Sequence, residues 1–237
     1  MKIDELTYRQ AIKNYTDADG LVCHVEVKKD ERGASGNGIL YTSLHLIALQ
    51  LNGWINEFDR KDYLKTISKC EVIQHSWCLK RSPVKDDLNS FDDYIGLSSC
   101  LYLCNLPFSA KSFLRKMKEV DFVCNNEQYN KFTFRSWLGR NPKFVAHVYN
   151  CGGEKPSLFH GFYQDMSFRA SALFNSKTAD DGNMLTMLMA MCSKTKSAKY
   201  YIDKYNWNFS FDHYGFVARA LHKDDHPLSM AFRNLAY

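Results

Sequence analysis

No stretch of this sequence approaches the ~18 uninterrupted apolar residues that a membrane-spanning helix needs. Its most apolar windows, Ile39–Leu51 and Met184–Cys192, are too short. Met1–Gln10 is polar and lacks the apolar run and small-residue cleavage site of a secretory signal. That predicts a chain made, and first folded, in a reducing cytosol. Runs of one charge are also missing. The densest basic groups are Lys28-Lys29 and Lys194-Thr195-Lys196, and 31 Lys+Arg against 26 Asp+Glu leaves a net charge of only +5. A dedicated nucleic-acid binder gathers its basic residues on one face, so nucleic acid is disfavoured as a partner. There is no G-x-x-x-x-G-K-[ST] phosphate loop, no G-x-G-x-x-G after a strand, no H-E-x-x-H and no G-x-S-x-G elbow. The eight cysteines form no C-x-x-C pair. No cofactor and no metal is expected from these patterns.

What is present is ordinary for a folded domain: 45% hydrophobic and 24% charged residues. Those values exclude a disordered, collagen-like or coiled-coil chain. Aromatics are abundant, with 14 Tyr and 16 Phe, which suits a large core, a sugar-binding surface or protein contacts alike.

Apolar periodicity is helical through most of the chain. Leu40, Leu44, Ile47 and Leu51 share a face, and Asn52-Gly53 ends that helix. Further helices are expected over Leu6–Asn14, Arg60–Cys70 with Asp59 as cap, Tyr94–Cys104, Ala110–Glu119, Phe132–Leu138, Phe144–Tyr149, Ser157–Phe174, Met184–Cys192, Ala198–Tyr205 and His213–Leu221. Asp17-Ala18-Asp19-Gly20 signals a turn, Leu21–Val27 a weak strand or extended arm, and Glu71–Asn89 a loop. Strand signal is slight and no Pro/Gly/Ser linker divides the chain. The expected fold is therefore mainly α, with paired helices forming a compact bundle or an incomplete α/α toroid. Residues 1–38 would be an N-terminal arm and loop, and residues 39–237 a single helical domain.

Several groups of residues have both a structural and a chemical reading. Asp92-Asp93 and Asp180-Asp181 stand at helix starts, where the dipole favours negative charge without any function. The sharper reading makes Asp92, Asp93 and Asp181 the catalytic acids of a glycan-cleaving cleft, with Tyr41, Trp77 and Tyr94 as stacking platforms for sugar rings. Gly36-Asn37-Gly38 precedes a helix and offers either a tight turn or an anion site. Cys100 and Cys104, four apart in an apolar run, read as core residues. Asp165 sits inside an apolar helix, where burial beside Arg169 explains it better than capping. His222-Lys223-Asp224-Asp225-His226-Pro227 reads as a solvated helix end rather than a metal site. A Cys78 nucleophile with His45 or His75 lacks any supporting flanking sequence.

Two stretches, Gly36-Asn37-Gly38-Ile39-Leu40-Tyr41-Thr42 and Asp92-Asp93-Tyr94-Ile95-Gly96-Leu97, together resemble a loose group of proteins carried by tailed bacteriophages. In that group a GNG-[IL]-L-[YF]-T turn and helix precedes a DDYIG helix. Cys70-Glu71 and Arg81-Ser82-Pro83 fit the same pattern. The resemblance covers residues 1–105 and implies a viral context, but no activity and no catalytic residues. With it, the expected function is a non-enzymatic virion component of the tail or portal region, made in the host cytoplasm. Such a component works by contact with other virion proteins or by self-association. The alternatives are a glycan-degrading enzyme with an α/α-type cleft and a phage accessory protein that binds a host factor. Whether the chain is an enzyme is left open.

Overall fold

The computed structural model describes residues 2–34, 36–73, 77–84, 91–122, 141–174, 181–209, 217–218, 221 and 225–235. Mainly α it is, with 65% of the described residues helical. Among the described residues the elements are α1 (Glu5–Ile12), α2 (Gly38–Leu51), α3 (Glu57–Lys69), β1 (Glu71–Ile73), β2 (Trp77–Leu79), α4 (Phe91–Leu103), α5 (Pro107–Glu119), α6 (Pro142–Cys151), α7 (Leu158–Phe174), α8 (Asp181–Met191), α9 (Lys196–Phe209) and α10 (Pro227–Arg233). No described helix is long and apolar enough to cross a membrane.

The centre of the molecule is α4, which packs against α2, α5, α6 and α8. Its sequence is apolar or small on every side, and every residue from Asp93 to Leu101 is buried. A helix without a polar face has to be enclosed by others. Its partner α2 is of the same kind, burying Ile39, Leu40, Leu44, Leu46, Ile47, Ala48 and Leu49. The two approach closely at Gly96, where a Cβ would stand 2.7 Å from Leu40 Cδ1 and 3.0 Å from Leu40 Cα. Only glycine allows that contact.

The helix ends follow the local chemistry. Asn56, not Asp59, caps α3: its side chain accepts from Asp59 N–H while the Asp59 carboxylate accepts from Asn56 N–H. That is a reciprocal capping box in which Asp59 is the third helical residue. Pro107 occupies the first turn of α5 and Pro142 that of α6, where a missing N–H costs nothing.

Three local features differ from the sequence expectation. Residues 71–79, expected as loop, contain an antiparallel hairpin pairing Glu71 with Leu79 and Ile73 with Trp77. Three-residue strands are too short for periodicity to show. α10, which no periodic run announced, begins at Pro227 with His226 as its cap. Residues 21–27 form no strand beyond an isolated bridge between Thr16 and Val22. The segment 1–38 is also built into the same core as the rest: Ile3, Tyr8, Ile12, Leu21 and Val22 all belong to it, and α1 packs on α10. Its loops are tied by Asp17, whose carboxylate accepts from the N–H groups of Asp19, Leu21 and Gly33. The helical turn expected at 132–138, most of 213–221, and the side chains of His75, Asp180, His222 and Asp224 lie outside the described residues.

Candidate functional site

A cleft of about 390 Å³ opens between the 16–22 turn and helices α2 and α3. Its walls carry Asp17, Asp19, His45, Asp59, Asp62 and Lys69. These six lining side chains are ionisable, so its electrostatics decide what it can do. Asp59 holds Arg9 in a two-pronged ion pair, Nη1–Oδ1 and Nη2–Oδ2 both at 2.9 Å, and Arg9 also donates to the Trp54 carbonyl at 2.6 Å. Burial alone would raise the Asp59 pKa. The Arg9 hydrogen bond and the Asn56 N–H outweigh it, and the carboxyl lies below its usual range. Asp19 pairs with Arg32 at 2.6 Å, and its backbone carbonyl accepts from Lys69 Nζ at 2.8 Å. His45 Nδ1 is 2.7 Å from the Tyr8 hydroxyl. Desolvation pulls the His45 pKa down to about 4, against the opposing pull of Asp59. The ring is therefore neutral near pH 7.

General acid catalysis needs a carboxyl that stays protonated near neutrality. Here Asp59 is held ionised by an arginine, and Asp19 faces another. The cleft is built as a charge-paired scaffold joining α1, the 16–33 loops and α3.

The residues singled out by sequence fall on the hairpin, α2, α4 and α8. Asp93 is fully buried and its Oδ1 accepts from Leu40 N–H at 2.8 Å. It thus supplies, from α4, the carboxylate that the N-terminus of α2 attracts. Of the two readings of Gly36-Asn37-Gly38, the turn feeding α2 fits: the helix N-terminus there already holds the protein's own Asp93 carboxylate. Asp92 lies half-buried in the first turn of α4, and Asp181 opens α8. Tyr94 is 1% exposed, with its hydroxyl accepting from Leu79 N–H. Trp77 is 8% exposed and packs edge-on against Tyr94 and Phe113, with Lys116 over its ring. Rings so enclosed pack the hairpin onto α4 and leave no open face for a sugar. Tyr41 is half-buried, close to the rings of His24 and His226.

The other candidates resolve in structural terms. His226 caps α10 through Nδ1, which accepts from Leu228 N–H, and its Nε2 lies 3.1 Å from the Cys23 carbonyl. Nδ1 thus closes the start of α10, and Nε2 joins that helix to the N-terminal segment. Cys78 is buried in β2, and burial pushes its thiol pKa up, which removes nucleophilic character. Arg169 donates to Ser197 rather than to Asp165, whose Oδ1 is buried without a hydrogen-bond partner. All seven described cysteines are buried and none is in a disulfide. One group of them could hold a metal: His147, Cys151 and Cys192 bring their donor atoms within 4.8 Å of one another.

The feature that periodicity did not single out is the outer face of α7. Inward, the helix buries Gln164, Phe168, Ser171 and Ala172 against α6 and α9. Outward it presents Leu158, Phe159, Phe162, Tyr163, Met166 and Leu173, with Leu158 95% and Phe162 67% exposed. Spacings of three and four place these on one stripe. Sequence gave only a helix apolar all round, which equally describes an enclosed one. Compared with known proteins, the chain matches no family model, no curated protein and no solved structure.

Proposed function

We propose that this chain is a non-enzymatic component of a tailed-bacteriophage particle and assembles with a second copy of itself through α7. The observation that carries the contact mode is the outward stripe Leu158–Phe162–Met166 with Phe159, Tyr163 and Leu173. Side chains of this size and exposure offer on the order of 600 Å² of apolar surface. That is at the top of what a monomer normally leaves in water, and approaches the ~800 Å² per partner of a standard interface. A second copy fits for reasons of charge. Asp165 and Arg169 are the only formal charges on α7, so the face meets its own image without like-charge repulsion, and a two-fold contact is self-complementary. The phage context rests on the resemblance of residues 1–105.

The glycan-cleaving alternative needs two carboxylates about 5–9.5 Å apart, one of them protonated. The arginine pairing of Asp59 and Asp19 and the capping role of Asp93 favour it less. An accessory protein that binds a host factor would use the same stripe as a monomer. Sedimentation equilibrium separates the readings. The expected result is a dimer that Phe162→Asp with Met166→Asp converts to a folded monomer. A wild-type monomer at high concentration overturns the self-association. Mass spectrometry of purified particles tests the context: the chain in fixed stoichiometry is expected, and its absence refutes a virion component.

A further inference from the structure

The fold gathers thiols around one buried imidazole. His147 and Cys151 lie four residues apart on α6, one above the other on the face turned to α4. Cys192, immediately after α8, joins them, and all three side chains are buried. Their donor atoms lie within 4.8 Å of one another, and Cys151 Sγ is 3.7 Å from the His147 ring nitrogens. Apolar cores contain single cysteines often, because the thiol behaves as a small hydrophobe. A histidine there is different, since its ring carries a donor and an acceptor that must both be satisfied. Here His147 Nε2 is 3.2 Å from Ser99 Oγ on α4. The ring also hydrogen-bonds to the Ile95 backbone.

We infer that His147, Cys151 and Cys192 form a binding site for a thiophilic divalent cation of the zinc class. Zinc takes Cys sulfur and His nitrogen in tetrahedral sites, and Cys2His with one open position for a further ligand is one of its standard sets. Tetrahedral zinc with bonds of about 2.3 Å separates its sulfurs by about 3.8 Å, so the cluster needs only a small contraction. Ser99 plays the part of the outer partner that holds a ligating imidazole in one tautomer and orientation. Binding is balanced by protons: two thiols release two, the neutral imidazole releases none, and Zn²⁺ with two thiolates leaves a neutral complex. The cation would tie α6 to the end of α8, with Ser99 of α4 holding the imidazole. This inference is independent of the contact made by α7.

The test uses the full chain, purified with reductant and stripped of metal. Titration with Co²⁺ should saturate at one equivalent. It should give a thiolate-to-cobalt charge-transfer band and the intense visible bands of tetrahedral cobalt, both abolished by Zn²⁺. Cys151→Ser and Cys192→Ser should each lose that binding, while Cys23→Ser and Cys78→Ser, buried thiols outside the cluster, keep it. Ser99→Ala should weaken affinity about 10- to 100-fold. If a ligand variant fails to fold, the wild-type melting temperature still decides: it should rise with zinc and fall with chelator. Reduced, folded wild-type protein that takes up no metal overturns the site. So does cobalt bound without the thiolate band, or equal binding by Cys151→Ser and Cys192→Ser. A Cys151–Cys192 disulfide in the isolated protein, with no uptake after its reduction, overturns it as well.

Discussion

Acidification should unfold this protein partly through His45. The ring lies in the cleft wall with its Nδ1 engaged by the Tyr8 hydroxyl. Burial lowers its pKa to about 4, against about 6.5 in an unfolded chain. Between these values the unfolded state binds a proton that the folded state refuses. Stability therefore falls as pH drops through that window, and is level with respect to this group above pH 6.5. The whole shift corresponds to at most about 3.5 kcal/mol, at about 1.4 kcal/mol for each pH unit. His45 is partly exposed to the cleft, and water there screens part of this, so a loss of about 1–2 kcal/mol by pH 5 is expected. His45→Gln keeps a polar partner for Tyr8 and removes the titration. Urea melts of both proteins at pH 7.5, 6 and 5 isolate the effect, because other titrating groups are common to both. The wild-type advantage over the variant should shrink by that amount between pH 7.5 and pH 5, and the His45 imidazole resonances should show no titration above pH 5. Parallel pH profiles for the two proteins, or a measured His45 pKa near 6.5, would refute the reasoning.

Gly96→Ala should destabilise by about 1–3 kcal/mol, the usual cost of overpacking, because the new methyl meets the Leu40 backbone on α2; thermal melting reads it, and an unchanged Tm would mean that α2 and α4 are not in this contact. Asp93→Ala leaves the buried Leu40 N–H without its acceptor, so a loss of about 1–3 kcal/mol is expected in denaturant melts, whereas wild-type stability would show that another group caps α2. Asp17→Ala strips the acceptor from the N–H groups of Asp19, Leu21 and Gly33. Proteolysis of residues 28–36 should speed up several-fold in that variant, with protection of the loop as the contrary outcome.

Composition and apolar spacing determined the fold class and most helix positions, because each helix has to hide its own apolar residues and the period of 3.6 is written along the chain. α2, α3, α4, α5 and α7 lie close to where that period put them. Acid at helix starts was legible too, since Asp93 and Asp59 do satisfy helix N-termini. Which N-terminus was not legible: Asp93 begins α4 yet serves α2, a choice made by the close crossing at Gly96. Exposure was equally hidden. Trp77 and Tyr94 became core, and Phe162 and Met166 were left in water, though all four look alike as apolar residues in the sequence. The His147–Cys151 spacing is visible in the chain, but Cys192 joins it only because α8 packs on α4 beside α6. Periodicity records what a helix must bury; the partner it buries against, and so every site made from distant residues, is settled by packing in three dimensions.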